Sequence, residues 1–124
     1  MISKEKIIDQ LFNEFKNIRY AAIYKNNELL FKQKQQVINS SEATTDKFEE
    51  LLVNPTLLTL AKQRGDIDCG GLNYIIVGYG NFYQFVQKIN NGHLSICLAL
   101  ETDLNKLPKQ IINFLSVEFP ELYK

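Results

Sequence analysis

The chain has 124 residues, 45% of them hydrophobic and 23% charged, which fits one globular domain able to bury its own core. Fourteen basic residues balance fourteen acidic ones, so no net field draws the protein to nucleic acid or to an anionic membrane surface. No apolar run nears the roughly 18 residues of a spanning helix, and two cysteines with a single histidine are too few for a disulfide framework or a zinc site.

The first fifteen residues carry acids and no long apolar segment of the secretory kind, so the expectation is a cytoplasmic protein with free thiols. Ser3 is placed to cap a first helix. Its buried stripe is Ile7, Ile8, Leu11, Phe12 and Phe15, with Lys6, Asp9, Gln10, Asn13 and Lys16 toward solvent. Residues 20–24, YAAIY, have the β-branched and aromatic content of a strand. The KNNE that follows reads as a tight turn, because asparagine tolerates the positive φ of a two-residue hairpin. Residues 29–32, LLFK, return as the second strand. Lys25, Lys32 and Lys34 could form a local basic patch there, although a solvated hairpin face accounts for them equally well. Residues 33–44 are rich in Gln, Ser and Asn and read as a loop, the segment expected to be most mobile.

Residues 45–79 organise the rest of the chain. Thr45 or Asp46 can cap a helix in which Phe48, Leu51, Leu52, Leu57, Leu58, Leu60 and Ala61 recur at roughly helical spacing. Lys62 and Arg64 lie where the helix dipole favours cations, and Gly65 can take a left-handed ending. Pro55 lacks an N–H and costs about 3 kcal/mol in an intact helix interior. Two short helices or one kinked helix are therefore expected between residues 46 and 64. After the DIDCGG turn, residues 72–77, LNYIIV, offer no polar face to water and predict a strand covered on both sides. If the edge of that strand is open, it is a docking edge for another chain.

GYGN at 78–81 turns into a further strand over 82–89, and NNGH at 90–93 is the clearest hairpin signal in the chain. Residues 94–100, LSICLAL, place large side chains on one face. Ser95, Cys97 and Ala99 on the other are small enough for a helix to pack closely. A last helix begins near Asn105, tolerates Pro108 in its first turn, presents Leu107, Ile111, Ile112, Phe114 and Leu115, and stops before Pro120. The order α-β-β-α-β-β-β-α predicts an α+β domain spanning residues 1–124, a five-stranded antiparallel sheet covered by helices on both faces.

No catalytic, cofactor or metal site emerges, and the expectation is a protein that is not an enzyme. His93 falls in a hairpin turn with no base or nucleophile placed beside it. Cys69 follows a helix C-terminus, where the dipole raises a thiol pKa, and is read as structural and buried. Asp66 and Asp68 lack the glycine and distal glutamate of a calcium loop. Gly78-Tyr79-Gly80 leads into a strand and so makes no phosphate cradle. Tyr74, Tyr79, Phe82, Tyr83 and Phe85 fit core packing or interface contact, and also motivate an alternative, a PAS-like small-ligand sensory domain.

The run LAKQRGDIDCGGLNYIIVGYGNFYQFVQKINNGHLSICLALETDLNKLPKQIINFL, a helix end, a glycine-marked turn, three meandering strands and a closing helix, resembles the roadblock family, of the dynein light-chain type within the profilin-like and longin-like group. The likeness of element order covers nearly the whole chain. It implies a homodimer in which the strand after the central helix pairs with its twin across a two-fold axis while the two central helices pack together. The positions this assigns to the interface are Leu57, Leu60, Ala61, Arg64, Leu72, Tyr74, Ile76 and Gly78. It further implies a scaffold or regulator working with a small Ras-like GTPase. Pro55 departs from the family's uninterrupted central helix, and no arginine finger can be assigned.

Overall fold

In the computed structural model, which describes residues 3–34 and 43–124, Ser3 caps α1 (Lys4–Glu14), its Oγ accepting from the Lys6 N–H at 3.3 Å. Ile7, Ile8 and Leu11 are fully buried, and Phe12 and Phe15 pack against the same cluster. β1 (Ile18–Lys25) and β2 (Glu28–Gln33) form the expected hairpin, with Asn26 and Asn27 at φ 54° and 66° supplying its turn. The polar loop expected over 33–44 lies, between 35 and 42, outside the described residues. Its ends differ from expectation: Gln33 closes β2, and Ala43 already opens a helix.

That middle helix has two α-helical segments, α2 (Ala43–Phe48) and α3 (Asn54–Asp68), joined without a break by a π-helical turn over Glu49–Val53. The expected capping residues Thr45 and Asp46 lie inside its first turns. Pro55 neither splits nor ends it. In the π turn the Asn54 N–H bonds the Glu49 carbonyl five residues back, and the proline follows as the second residue of α3, where a missing donor disturbs least. Thr56 Oγ1 also donates to the Leu52 carbonyl at 2.7 Å.

Gly65 does not end the helix. It lies buried within α3, so close to the returning chain that a Cβ would stand 3.0 Å from the Gly71 carbonyl carbon. The left-handed ending falls instead at Gly70 and Gly71 (φ 80° and 93°), with the Cys69 and Gly71 N–H groups both bonded to the Gly65 carbonyl. Lys62 and Arg64 form i,i+4 ion pairs with Asp66 and Asp68, both at 2.6 Å.

β3 (Ile75–Gly78), β4 (Tyr83–Ile89), β5 (Gly92–Leu98) and α4 (Leu107–Glu118, with Pro108 in its first turn) complete the chain with a 3-10 turn at Pro120–Tyr123. The five strands make one antiparallel sheet in the order β2-β1-β5-β4-β3. The strand expected to be enclosed is therefore an edge strand, shorter than predicted, and Ile75, Ile76 and Val77 are only half-buried. The β4–β5 turn uses Asn90 and Asn91, with the positive φ (62°) on Asn91, and Gly92 belongs to β5. Gly92 is required by a close approach: a Cβ there would fall 1.7 Å from the Tyr24 carbonyl oxygen.

The two faces of the sheet differ in chemistry. One carries Ala21, Ile23, Phe85, Leu94, Ile96 and Leu98 against α1 and α4, an apolar core joined by Ile111, Leu115 and Leu122. The other carries Tyr20, Gln84, His93, Ser95 and Cys97, with Ala22 and Val86, and meets the middle helix. The small face of β5 does pack against a helix, as expected, but through polar groups.

Candidate functional site

Glu50, in the π turn, is fully buried. Its carboxylate accepts from Tyr20 Oη at 2.9 Å and from Asn54 Nδ2 at 3.0 Å, and stands 2.8 Å from His93 Nε2. Asn54 Nδ2 also donates to Ser95 Oγ at 3.3 Å, which in turn accepts from Gln84 Nε2. Cys97 Sγ reaches Gln84 Oε1 at 3.5 Å. The geometry explains why a helix carrying Glu50 and Asn54 can lie on this face: a buried carboxylate is tolerated only when its lone pairs are met by donors. Asn54 Oδ1 has no partner among the described residues.

His93 is thus not a turn residue. It is a buried β5 side chain stacked on Tyr24 at 5.7 Å and paired with a carboxylate 43 positions earlier in the chain. Burial, reinforced by the Glu50 charge and hydrogen bond, pushes the Tyr20 phenol far above the ordinary range. Burial likewise pushes the Cys97 thiol up, helped by Glu50, Glu49 and Asp46, so it is no ready nucleophile. Ser95 touches two amides and no base. Cys69, expected to be buried, is exposed, its Sγ 3.4 Å from Asp68 Oδ1.

Beside this network opens a cleft of about 550 Å³. It is lined by Tyr20, Gln84 and Cys97 of the sheet, by Asp46, Glu49 and Glu50 of the middle helix, and by Tyr79 and Phe82. No group of three His, Cys, Asp or Glu side chains among the described residues is arranged to hold a metal ion. The lysines of the first hairpin form no free basic patch. Lys25 is buried and donates to the Asn90 carbonyl, Lys32 pairs with Asp9 and Glu5, and Lys34 reaches the carbonyls of Phe15 and Lys16.

The residues expected at an interface fall into two groups. Leu60 is 62% exposed on α3, Leu57 and Ala61 are half-buried beside it, and Arg64 is exposed in its ion pair. Phe48, Leu51, Leu52 and Ile67 extend the exposed apolar surface of the middle helix. On the strand side, Leu72 is half-buried and Gly78 exposed at the edge. Tyr74 and Ile76 point toward the apolar core, Tyr74 stacking on Phe85 at 5.4 Å. Alternation along an edge strand separates these two from a surface on the opposite face.

No protein-family model matches the chain, and no curated protein matches it in sequence. Among the described residues no helix is long and apolar enough to cross a membrane.

Proposed function

We propose that the chain is a non-enzymatic interaction module that self-associates, two copies joining through antiparallel pairing of their β3 edges while the outer faces of α3 pack together. The observation that carries this reading is the contrast between the two sheet edges. β2 bears Glu28 and Lys32, the charges with which proteins blunt an exposed edge, whereas residues 72–78 carry no charge and no proline, and the middle helix exposes Leu51, Leu52 and Leu60 besides. A two-fold axis suits such an edge, since each strand then offers its twin the same residues. The buried network supports the non-enzymatic part, because each nucleophile in it lacks a base or is held protonated. The roadblock-like element order adds a small Ras-like GTPase as the partner that such a dimer would scaffold or regulate.

The test is sedimentation of the purified protein against Leu60→Lys. An exposed side chain of this kind alters a monomer's stability by no more than about 0.5 kcal/mol, so the variant should stay folded and become monomeric. A wild-type chain that sediments as a monomer at tens of micromolar (roughly 10 to 100 μM, well above the Kd of a specific homodimer) refutes the reading. If dimerisation holds, nucleotide-loaded small GTPases are the partners to assay next.

A further inference from the structure

We infer that Gly65, a buried residue outside the proposed contact surface, is the joint that holds α3 and the β3 edge in the one relative position from which a second copy can engage both. This positioning role rests on the dimer reading. A contact built from a helix face and a strand edge matches its twin only when the two parts are held at a fixed spacing, because each copy must satisfy both at once.

Gly65 ties the two parts together. A Cβ on it would stand 3.0 Å from the Gly71 carbonyl carbon, 3.1 Å from the Gly71 oxygen and 3.3 Å from the Leu72 nitrogen. Its own carbonyl accepts the N–H groups of Cys69 and Gly71, both at 3.1 Å. The backbone then reverses through Gly70 and Gly71, at positive φ, and runs on through Leu72 into β3. On the helix side Arg64 is its neighbour and Ala61 lies one turn earlier. The helix part of the contact and the strand part therefore meet at this one residue. A side chain here would force the returning chain to give by a few tenths of an ångström. Within one copy alanine's better helix propensity offsets that crowding. Across a two-fold axis the same displacement enters twice.

The experiment is the homodimer Kd by sedimentation for the wild type, Gly65→Ala, Gly70→Ala and Gly80→Ala. A loss of about threefold at each of the two joints gives roughly a tenfold rise in Kd for Gly65→Ala. Gly70 is exposed with nothing within 4 Å of an added Cβ, but its φ of 80° strains any side chain, so Gly70→Ala should raise the Kd through the backbone reversal alone. Gly80→Ala meets no neighbour and no positive φ, and should leave the Kd at the wild-type value. In the monomeric Leu60→Lys background, Gly65→Ala should move Tm by less than about 4 °C. A dimer whose Kd is indifferent to Gly65→Ala or to Gly70→Ala, an equal rise from Gly80→Ala, or a larger loss of Tm in the Leu60→Lys background would each overturn the role of Gly65 while leaving the dimer standing. A monomeric wild type removes the dimer reading and this role with it.

Discussion

Replacing Glu50 with leucine removes the centre of the buried network and leaves three groups around it without their acceptor. Tyr20, Asn54 and His93 are all at least 95% buried, so none of them recovers a hydrogen bond from solvent without local opening. Each stranded group costs about 1–3 kcal/mol, and relaxation around the apolar replacement returns part of it. Breaking one side of a buried charged network generally comes to about 3–5 kcal/mol, which we take as the expected loss. With an unfolding entropy near ~2.1 cal/mol/K per residue, this chain should lose about 4 °C for each kcal/mol, hence roughly 12–20 °C in Tm. The assay is urea and thermal unfolding at fixed protein concentration, because the proposed self-association would make Tm depend on it. Glu50→Leu, His93→Leu and the double variant form a cycle, in which the double variant should recover at least about 1 kcal/mol of the summed single losses, because replacing both partners leaves less unpaired. A Glu50→Leu cost below about 1 kcal/mol, or strictly additive losses, would refute the view that Glu50 anchors this face.

Gly92→Ala should leave little folded protein by circular dichroism, since the added carbon would overlap the Tyr24 carbonyl and part the β1–β5 pairing; a stable variant would show that the strands can separate there. Iodoacetamide at pH 8 should modify one thiol per chain under native conditions, the exposed Cys69, and two in denaturant, because Cys97 is shielded and its thiolate disfavoured; two fast thiols in the native protein would contradict the structure. Above pH 10 unfolded Tyr20 ionises while folded Tyr20 does not. Its contribution to stability is therefore complete below about pH 10 and is lost above it by about 1.4 kcal/mol per pH unit. Tyr123, raised to about 12, and Tyr79, also raised, act in the same sense, so the check is the difference in alkaline slope between wild type and Tyr20→Phe. Equal slopes would sink the assignment.

The elements whose cause is local were legible in the sequence. Ser3 and its stripe define α1 within a dozen residues, and Asn26-Asn27 forces a hairpin through backbone geometry alone. What escaped reading depends on distant partners. His93 looks like a turn residue beside Asn-Gly, and only Glu50, brought over by the helix, makes it a buried one. Gly65 reads as a helix ending because glycine is the residue that ends helices, yet here it makes room for Gly71. An all-apolar LNYIIV stretch reads as enclosed, but apolar content does not reveal how many neighbours a strand has, and β3 has one among the described residues. Pro55 marked the position of an irregularity, and the structure gives its form, a π turn just before the proline that joins two α-helical segments.

The middle helix is tied to the sheet in an unusual currency. Of the residues that α3 buries, Asn54, Leu58 and Gly65, only leucine brings an apolar side chain, so the attachment depends on aligned donors and acceptors more than on excluded water. Lifting the helix away would uncover Leu58, Ala22 and Val86 beside the polar groups, fewer apolar side chains than the opposite face holds, so the free energy of that opening would respond less to urea than unfolding of the whole chain, the effect scaling with exposed surface. The sheet with α1 and α4, held by a continuous apolar core, would respond steeply. Hydrogen exchange in low urea should therefore resolve two events in one small chain, a shallow release of the helix and a steep collapse of the rest.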